Sequence, residues 1–284
     1  MLQTLKQPLK NWRWARRRQT VARRYGAQAL AAAPVVVGNA MPKSGSHLLS
    51  QVLRGLTRIG PFVDPGMPPL TRSARNQNLD EPAVLARLDA LQSGDIGYGY
   101  LHAREPYIAR LSQAGVAAFF VYRDPRDVLV SHVFYATDLY PGHGMHAYYR
   151  RLPSVEARLN AAIEGVTEPG FELSSIGEKY AKYVGWLDVA AVHSLRFEDL
   201  ILARSATLGA MLQHLAARGF ELRLPHEQAV SQLAAAIEPR RSGTFRRGQP
   251  GEWRRHFTAE NKARFKAATG DLLQRLGYEQ GPGW

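Results

Sequence analysis

One short segment limits the fold more than any other part of this chain. Residues 35–40 read VVVGNA, an apolar, β-branched run that follows Pro34, and they predict a buried strand. A turn rich in Gly and Ser follows, and residues 46–59 then carry apolar side chains at helical spacing. A strand, a glycine-containing turn and a helix in this order aim backbone N–H groups and a helix N-terminus at one point, which suits a phosphate.

The turn itself carries the residues that an anion would need. Lys43 supplies a positive charge there, and the candidate N–H donors are Ser44, Gly45, Ser46 and His47. The turn is not a Walker A loop, because in that motif Lys follows the second Gly, whereas Lys43 precedes Gly45. On these residues alone, a plain strand-to-helix turn is the alternative interpretation.

Predicted strands alternate with predicted helices along the rest of the chain. The strands are at 98–101, 116–122 and 191–197, and the helices are at 82–92, 106–113, 125–137, 155–164, 176–190, 200–218, 227–237 and 258–276. This alternation predicts an α/β fold with three layers, in which helices flank a central, mostly parallel sheet. Residues 60–80 and 135–153 are predicted loops and candidate walls of a substrate pocket; the second contains Tyr135, Tyr140, Tyr148 and Tyr149.

Positive charge is concentrated at the start of the sequence. The chain has a formal net charge of +13, and residues 1–25 contain basic residues but no acidic ones. We predict a basic helical arm over residues 1–33 and one domain over residues 34–284. Such an arm suits an anionic membrane surface or nucleic acid; the alternatives are a solvated helix on the domain and a signal peptide. The absence of cysteine excludes disulfides and thiolate metal sites and suits a cytoplasmic protein.

Two later segments place arginines where a second anion could bind. Arg123 follows the predicted strand 116–122, and Ser131 lies about two turns into the next helix. Since ligands of open α/β sheets bind at the carboxyl ends of strands, Arg123 is a candidate phosphate ligand; an ion pair with Asp127 is the alternative. Residues 246–248 read RRG, which suits a lid that closes on an anion or, alternatively, a solvated basic loop.

Taken together, these segments resemble the sulfotransferases that use 3′-phosphoadenosine 5′-phosphosulfate (PAPS). Residues 42–46 (PKSGS) are similar to that family's 5′-phosphosulfate loop, and residues 123–131 (RDPRDVLVS) to its 3′-phosphate segment. Residues 197–200 (FEDL) and 245–253 (FRRGQPGEW) resemble two further family segments. The resemblance implies a P-loop-like sulfotransferase fold and an enzyme that moves a sulfuryl group from PAPS to an acceptor hydroxyl. PAPS is then a co-substrate, 3′-phosphoadenosine 5′-phosphate (PAP) is the product, and no metal is needed.

The resemblance also implies roles for single residues. Lys43 is expected to contact the sulfuryl group and the bridging oxygen, and His102, after the strand 98–101, matches the catalytic base. The remaining nucleotide-binding residues implied are Ser44, Gly45, Ser46 and His47 at the 5′-phosphate, Arg123, Ser131, Arg246, Arg247 and Gly248 at the 3′-phosphate, and Phe197. Three positions depart from the family pattern: Leu48 replaces a common Trp, Tyr100 a Lys, and Phe197 a common Tyr.

Two other functions stay open from the sequence. A nucleotide or small-molecule kinase with a variant phosphate loop would need Mg²⁺ and ATP, but the chain lacks the Gly-Lys-Ser/Thr of such loops. A non-catalytic binding protein would show salt-sensitive binding that depends on residues 1–25. For the sulfotransferase, we expect a hydroxyl-bearing acceptor such as a glycan, glycolipid or small metabolite, and no nucleic acid partner. We expect a cytoplasmic protein with peripheral membrane contact through the arm; the oligomeric state is not predicted.

Overall fold

A computed structural model describes residues 6–169, 171–238 and 248–284. Its strands are β1 (Val35–Ala40), β2 (Ile96–Gly99), β3 (Val116–Tyr122), β4 (Val166–Glu168), β5 (Phe171–Leu173) and β6 (Val192–Arg196). Its helices are α1 (Lys6–Tyr25), α2 (Ala27–Ala32), α3 (Ser46–Ile59), α4 (Glu81–Asp89), α5 (Tyr107–Leu111), α6 (Pro125–Phe134), α7 (His146–Arg151), α8 (Val155–Glu164), α9 (Ile176–Ala181), α10 (Phe197–Leu202), α11 (Arg204–Ala217), α12 (His226–Ala234), α13 (Ala259–Thr269) and α14 (Leu272–Arg275).

The central sheet confirms the predicted α/β fold. Its strand order is β2-β1-β3-β6, and β1 pairs in parallel with both β2 and β3. After β1 the chain continues to β2, on one side of β1. After β3, which lies on the other side of β1, the chain continues to β6, the outer neighbour of β3. Ligands of open parallel sheets bind at the carboxyl ends of strands whose connections diverge in this way. The carboxyl ends of β1 and β3, where Ala40 is paired with Val121, are such a place.

The helix after β1 packs closely on the sheet at Gly38. A Cβ built on Gly38 would lie 2.5 Å from Cδ1 of Leu53, so only glycine permits this approach of α3 to β1. Leu49, Val52 and Leu53 are buried in a core that also includes Phe119 of β3 and residues of α11 and α12. Burial of these side chains therefore fixes the start of α3 against the end of β1.

The chain divides into two compact units. The first comprises the residues up to Val121 together with Trp186–Glu238, and the second comprises Tyr122–Gly185 together with the residues from 239 onward. The first unit holds nearly all of the central sheet. In the second unit, α8 contacts α6, α9 and α13, and β4 and β5 form a small antiparallel hairpin. The proposed boundary between an arm at 1–33 and a domain at 34–284 stays a prediction.

The basic arm forms a long helix that is bonded to the rest of the first unit. Asp95 has a fully buried side chain, which accepts hydrogen bonds from Trp14 Nε1 at 3.0 Å and from Arg18 Nη1 at 2.7 Å. Burial raises the pKa of Asp95, and the bonds from Gln92, Trp14 and Arg18 oppose that rise. These contacts hold one face of α1, whereas Trp12 stays 56% exposed.

Several predicted elements differ from the structure. The predicted loop 135–153 contains a π-helical turn, Tyr135–Leu139, and helix α7. The predicted helix 258–276 is interrupted at Gly270, which adopts φ 57°, and the hairpin β4–β5 was not predicted. In each case a local pattern was too short or too mixed to reveal the element. By contrast, α3, α8 and β3 have the predicted bounds.

A pair of part-buried histidines in the first unit gives a testable pH dependence. The rings of His193 and His214 stack at 5.4 Å, and His214 meets Phe119 edge-on at 5.1 Å. Burial, and then the charges of His193 and Arg218, lowers the pKa of His214 to about 4. Because an unfolded histidine titrates near 6.5, the unfolded chain binds more protons between these two values. His214 therefore has no effect on stability above pH 6.5 and destabilises the fold as the pH falls toward 4.

We expect this effect to appear in urea unfolding at pH 7 and pH 5. When the pH is lowered from 7 to 5, the free energy of unfolding should fall by about 1 kcal/mol more in the wild type than in His214→Gln. This difference is smaller than the full 1.4 kcal/mol per pKa unit, because solvent partly screens the part-buried His214. The variant His226→Gln, at an exposed histidine, serves as the control and should behave as the wild type. An identical pH dependence in wild type and His214→Gln would contradict the prediction.

Candidate functional site

The turn between β1 and α3 has the backbone geometry of an anion-binding loop. Lys43 adopts φ 70° and Gly45 adopts φ 98°, both in the left-handed region, which is uncommon for a lysine. Left-handed residues that alternate with ordinary ones turn successive N–H groups toward one side of the chain. Gly45 is also the N-cap of α3, a 14-residue helix without a side-chain cap, so its first N–H groups have no partner from a capping side chain.

A buried hydroxyl in this turn fits an anionic ligand. Ser44 is fully buried, and within the described part of the chain its Oγ has no hydrogen-bond partner. An unpaired buried hydroxyl costs about 1–3 kcal/mol, a cost that a phosphate oxygen accepting from Ser44 would remove. The neighbouring hydroxyl of Ser46 lies 3.3 Å from Tyr100 Oη, which connects the turn with the residue that follows β2.

The electrostatic field of the turn is positive. Lys43 is part-buried at the N-terminal end of α3, where the helix dipole also favours an anion. Partial desolvation, and then the charges of Lys43 and Arg54, lowers the pKa of His47. His47 is therefore predominantly neutral at physiological pH.

Phe197 packs against the backbone of the turn at Gly45. It is the first residue of α10, directly after β6, and it is buried. A Cβ built on Gly45 would lie 2.5 Å from Cδ2 of Phe197, so the ring packs directly on the backbone of the turn. The FEDL segment thus contributes to the shape of the loop, and a direct contact of Phe197 with the nucleotide stays a prediction.

We expect Gly45→Ala to be much more damaging than Gly115→Ala. Both glycines adopt a positive φ, 98° at Gly45 and 77° at Gly115, so the backbone disfavours a Cβ at both positions. Only at Gly45 would the new methyl group collide with another side chain, Phe197, since nothing lies within 4 Å at Gly115. Thermal unfolding and nucleotide titration should show a larger loss of stability for Gly45→Ala, and weaker binding for that variant alone. Equal effects of the two substitutions would contradict the packing argument.

The structure brings His102 to the same edge of the sheet as Lys43. β1 and β2 are parallel neighbours; Lys43 follows the carboxyl end of β1, and His102 follows that of β2. His102 is part-buried, and its carbonyl accepts from Arg104 N at 2.9 Å. Tyr100, which replaces the lysine of the family pattern, lies with its ring 6.0 Å from the guanidinium of Arg72.

In the second unit, Arg123 is held close to the segment that contains Gly248. Arg123 Nη2 lies 3.6 Å from Asp127 Oδ2 and donates to the carbonyl of Gln249 at 3.3 Å. The ion pair with Asp127, which was the alternative interpretation of Arg123, is therefore present, but it does not account for all contacts of the guanidinium. The carbonyl of Arg123 accepts from Tyr180 Oη at 2.6 Å, which fixes the backbone directly after β3.

Asp127 also holds the segment after Gly248. Its buried carboxylate accepts from Gly251 N at 2.7 Å and from Trp253 N at 2.9 Å. Burial raises the pKa of Asp127, whereas Arg123 and these two N–H groups lower it. Sequence reasoning treated Asp127 only as an ion-pair partner and missed this second role.

The remaining predicted site residues lie on α6 and around Gly248, and two of them fall outside the described residues. Ser131 is part-buried on α6, and Gly248 adopts φ 62°. Arg246 and Arg247 lie outside the described residues. Lys43 and Arg123 belong to different units, so their action on one nucleotide stays a prediction. One observation within the first unit supports this prediction. Ala40, which precedes Lys43, is paired with Val121, which precedes Arg123.

The candidate acceptor residues of the second unit mostly pack on each other. Tyr135 stacks on Tyr140 at 5.7 Å, Tyr148 stacks on Phe171 at 5.1 Å, and Tyr149 is fully buried. Across residues 6–169, 171–238 and 248–284, no group of three His, Asp or Glu side chains is arranged to hold a metal ion. Over the same residues, every helix is too short or too polar to cross a bilayer.

Comparisons with known proteins show which known fold this chain has. No protein-family model and no curated protein matches the sequence. Among solved structures, mouse sulfotransferase SULT7A1 complexed with PAP is 14% identical with a TM-score of 0.58, over 91% of this chain and 90% of that one. Retinol dehydratase in complex with androsterone and inactive cofactor PAP is 13% identical with a TM-score of 0.54, over 94% of this chain and 87% of that one. Retinol dehydratase in complex with retinol and PAP is 14% identical with a TM-score of 0.53, over 87% of this chain and 82% of that one. The chain therefore has the α/β fold of the sulfotransferases.

Proposed function

We propose that this protein is a PAPS-dependent sulfotransferase. The observation that carries the proposal is the left-handed turn at Lys43–Gly45, where the Ser44 hydroxyl is buried and has no partner within the described residues. This turn stands at the end of the central strand of a fold shared with structures that hold PAP. Three features of the described residues fit a phosphate group: the positive charge of Lys43, the left-handed backbone at Lys43 and Gly45, and the Ser44 hydroxyl that can donate to a phosphate oxygen.

In this proposal, the first unit supplies both groups that act on the reacting atoms. PAPS supplies a sulfuryl group whose bond to the 5′-phosphate oxygen breaks as the acceptor oxygen bonds to sulfur. Lys43 and the N-terminal end of α3 neutralise the charge that grows on the departing phosphate oxygen. His102 takes the proton of the acceptor hydroxyl, a task that suits an imidazole near neutral pH.

We propose a hydroxyl-bearing small molecule as the acceptor. The retinol dehydratase structures contain androsterone or retinol, which supports a small molecule ahead of a glycan or glycolipid. Contact of the arm with a membrane surface also stays a proposal, which the exposed Trp12 supports. A cytoplasmic location is proposed with it.

A thermal-shift scan tests the proposal without knowledge of the acceptor. A ligand present at 100 times its dissociation constant stabilises the folded state by about 2.7 kcal/mol, which should raise Tm by about 5 °C or more. We expect PAP to produce this shift without Mg²⁺, and we expect a much smaller shift in Lys43→Met. A shift with Mg²⁺ and ATP, but none with PAP, would replace the proposal with a kinase.

A further inference from the structure

Among the described residues, a buried amide in β1 contacts none of the groups that act in the proposed reaction. Asn39 is fully buried in a strand whose other residues are Val, Gly and Ala. Its side chain serves the backbone of Leu101: Nδ2 donates to the Leu101 carbonyl at 3.0 Å, and Oδ1 accepts from Leu101 N at 2.8 Å. The same Oδ1 also accepts from Ala40 N at 3.0 Å. The amide thus continues the pairing of β1 with β2 beyond Gly99, where the regular ladder ends.

A second buried side chain acts on the same peptide group. Trp186 is fully buried, and its Nε1 donates to the Leu101 carbonyl at 2.8 Å. Leu101 is itself fully buried, so two polar side chains fix one residue in the interior of the first unit. The residue after Leu101 is His102, whose own carbonyl accepts from Arg104 N. The backbone is therefore held on both sides of His102.

We infer that Asn39 and Trp186 are positioning residues that set the backbone of His102 for its role as base. The inference rests on the proposed function, because it assumes that His102 takes the acceptor proton. A buried polar side chain must be fully bonded to be tolerated, and an apolar residue would fill a strand position at no such cost. A displacement of about 1 Å at a reacting group can lower a rate about 100-fold, so a rigid support for His102 has a direct catalytic value.

The test uses Asn39→Ala and Trp186→Phe, and the second variant removes the N–H donor but keeps most of the ring. Asn261→Ala is the matched control, because Asn261 is also fully buried and bonded through its amide, as part of the cap of α13. The primary measurement is the NMR signal of the His102 ring among the nine histidines, assigned with His102→Gln. It is recorded on the full chain with PAP added.

We expect the His102 signal and its titration to change in Asn39→Ala and in Trp186→Phe, but not in Asn261→Ala. With 4-nitrophenol as the acceptor probe, kcat should fall at least tenfold in both variants, while PAP affinity changes less than threefold. In a His102→Gln background, Asn39→Ala should cause no further loss of turnover. If Asn39→Ala does not fold, Trp186→Phe alone decides.

Two results would separate this inference from the proposed function. An unchanged His102 signal in the folded variants would overturn the positioning role and leave the sulfotransferase proposal intact. Full turnover in His102→Gln would remove His102 as the base, and the inference would fall with it. A loss of turnover in Asn39→Ala that adds to that of His102→Gln would show that Asn39 acts through general stability, and would also overturn the inference.

Discussion

Lys43→Met is expected to lower sulfuryl transfer about 10²–10³-fold while the protein stays folded. Electrostatic groups aimed at a developing charge typically contribute that much to a rate. Methionine keeps the unbranched shape of the side chain, so the left-handed backbone at φ 70° meets the same steric demand as in the wild type. The measurement is the release of labelled product from PAPS with a panel of acceptor alcohols and phenols.

Lys182→Met is the control for this substitution. Lys182 is exposed on the second unit and is not among the candidate site residues, so its loss should leave turnover within about twofold of the wild type. If both variants kept full turnover, Lys43 would have no part in the transfer, and the proposed site would be wrong.

Arg126→Met is expected to destabilise the protein by about 3–5 kcal/mol, the largest stability effect we predict. Arg126 is 1% exposed, and its guanidinium binds Asp124 through Nε at 2.9 Å and Nη2 at 2.7 Å and Glu279 through Nη1 at 2.6 Å. The same group lies 3.9 Å from the ring centroid of Trp253 and 4.4 Å from that of Trp284. Its removal leaves the buried carboxylate of Asp124 without the guanidinium charge that compensates it, which is costly.

A second arginine of the same unit provides the comparison. Arg264 also contacts two carboxylates, Glu164 at 2.7 Å and Glu260 at 2.8 Å, but all three side chains are exposed. Arg264→Met should therefore lower the free energy of unfolding far less than Arg126→Met does in chemical unfolding. Similar losses for the two variants would contradict the claim that burial, and not the number of ion pairs, sets the cost.

Elements with a strong local pattern could be predicted from the sequence. β3 is an apolar run of seven residues, and α3 has a continuous apolar face, so both have the predicted bounds. Asp124 and Thr258 are the N-caps of α6 and α13, and the preference of Asp and Thr for this position is likewise a local property. The segment 135–153 could not be predicted, because aromatic contacts within the second unit, rather than helical periodicity, order it.

Some residues of the candidate site could be predicted from the sequence and others could not. Lys43 and Gly45 could be recognised from their place between a strand and a helix. The bonds from Asn39 to Leu101, across 62 positions of the sequence, could not be predicted, since they depend on the pairing of β1 with β2. An amide in an otherwise apolar strand was the one available sign. The role of Asp127 likewise depends on a segment 124 residues away.

Calorimetric titration of PAP tests the central claim most directly. The account predicts one binding site in the wild type, with affinity at least tenfold weaker in Lys43→Met and in Arg123→Gln, and weaker still in the double variant. It also predicts that Mg²⁺ and ATP bind much less tightly than PAP. The account would be contradicted if PAP did not bind, or if its affinity were the same in the wild type and in both single variants.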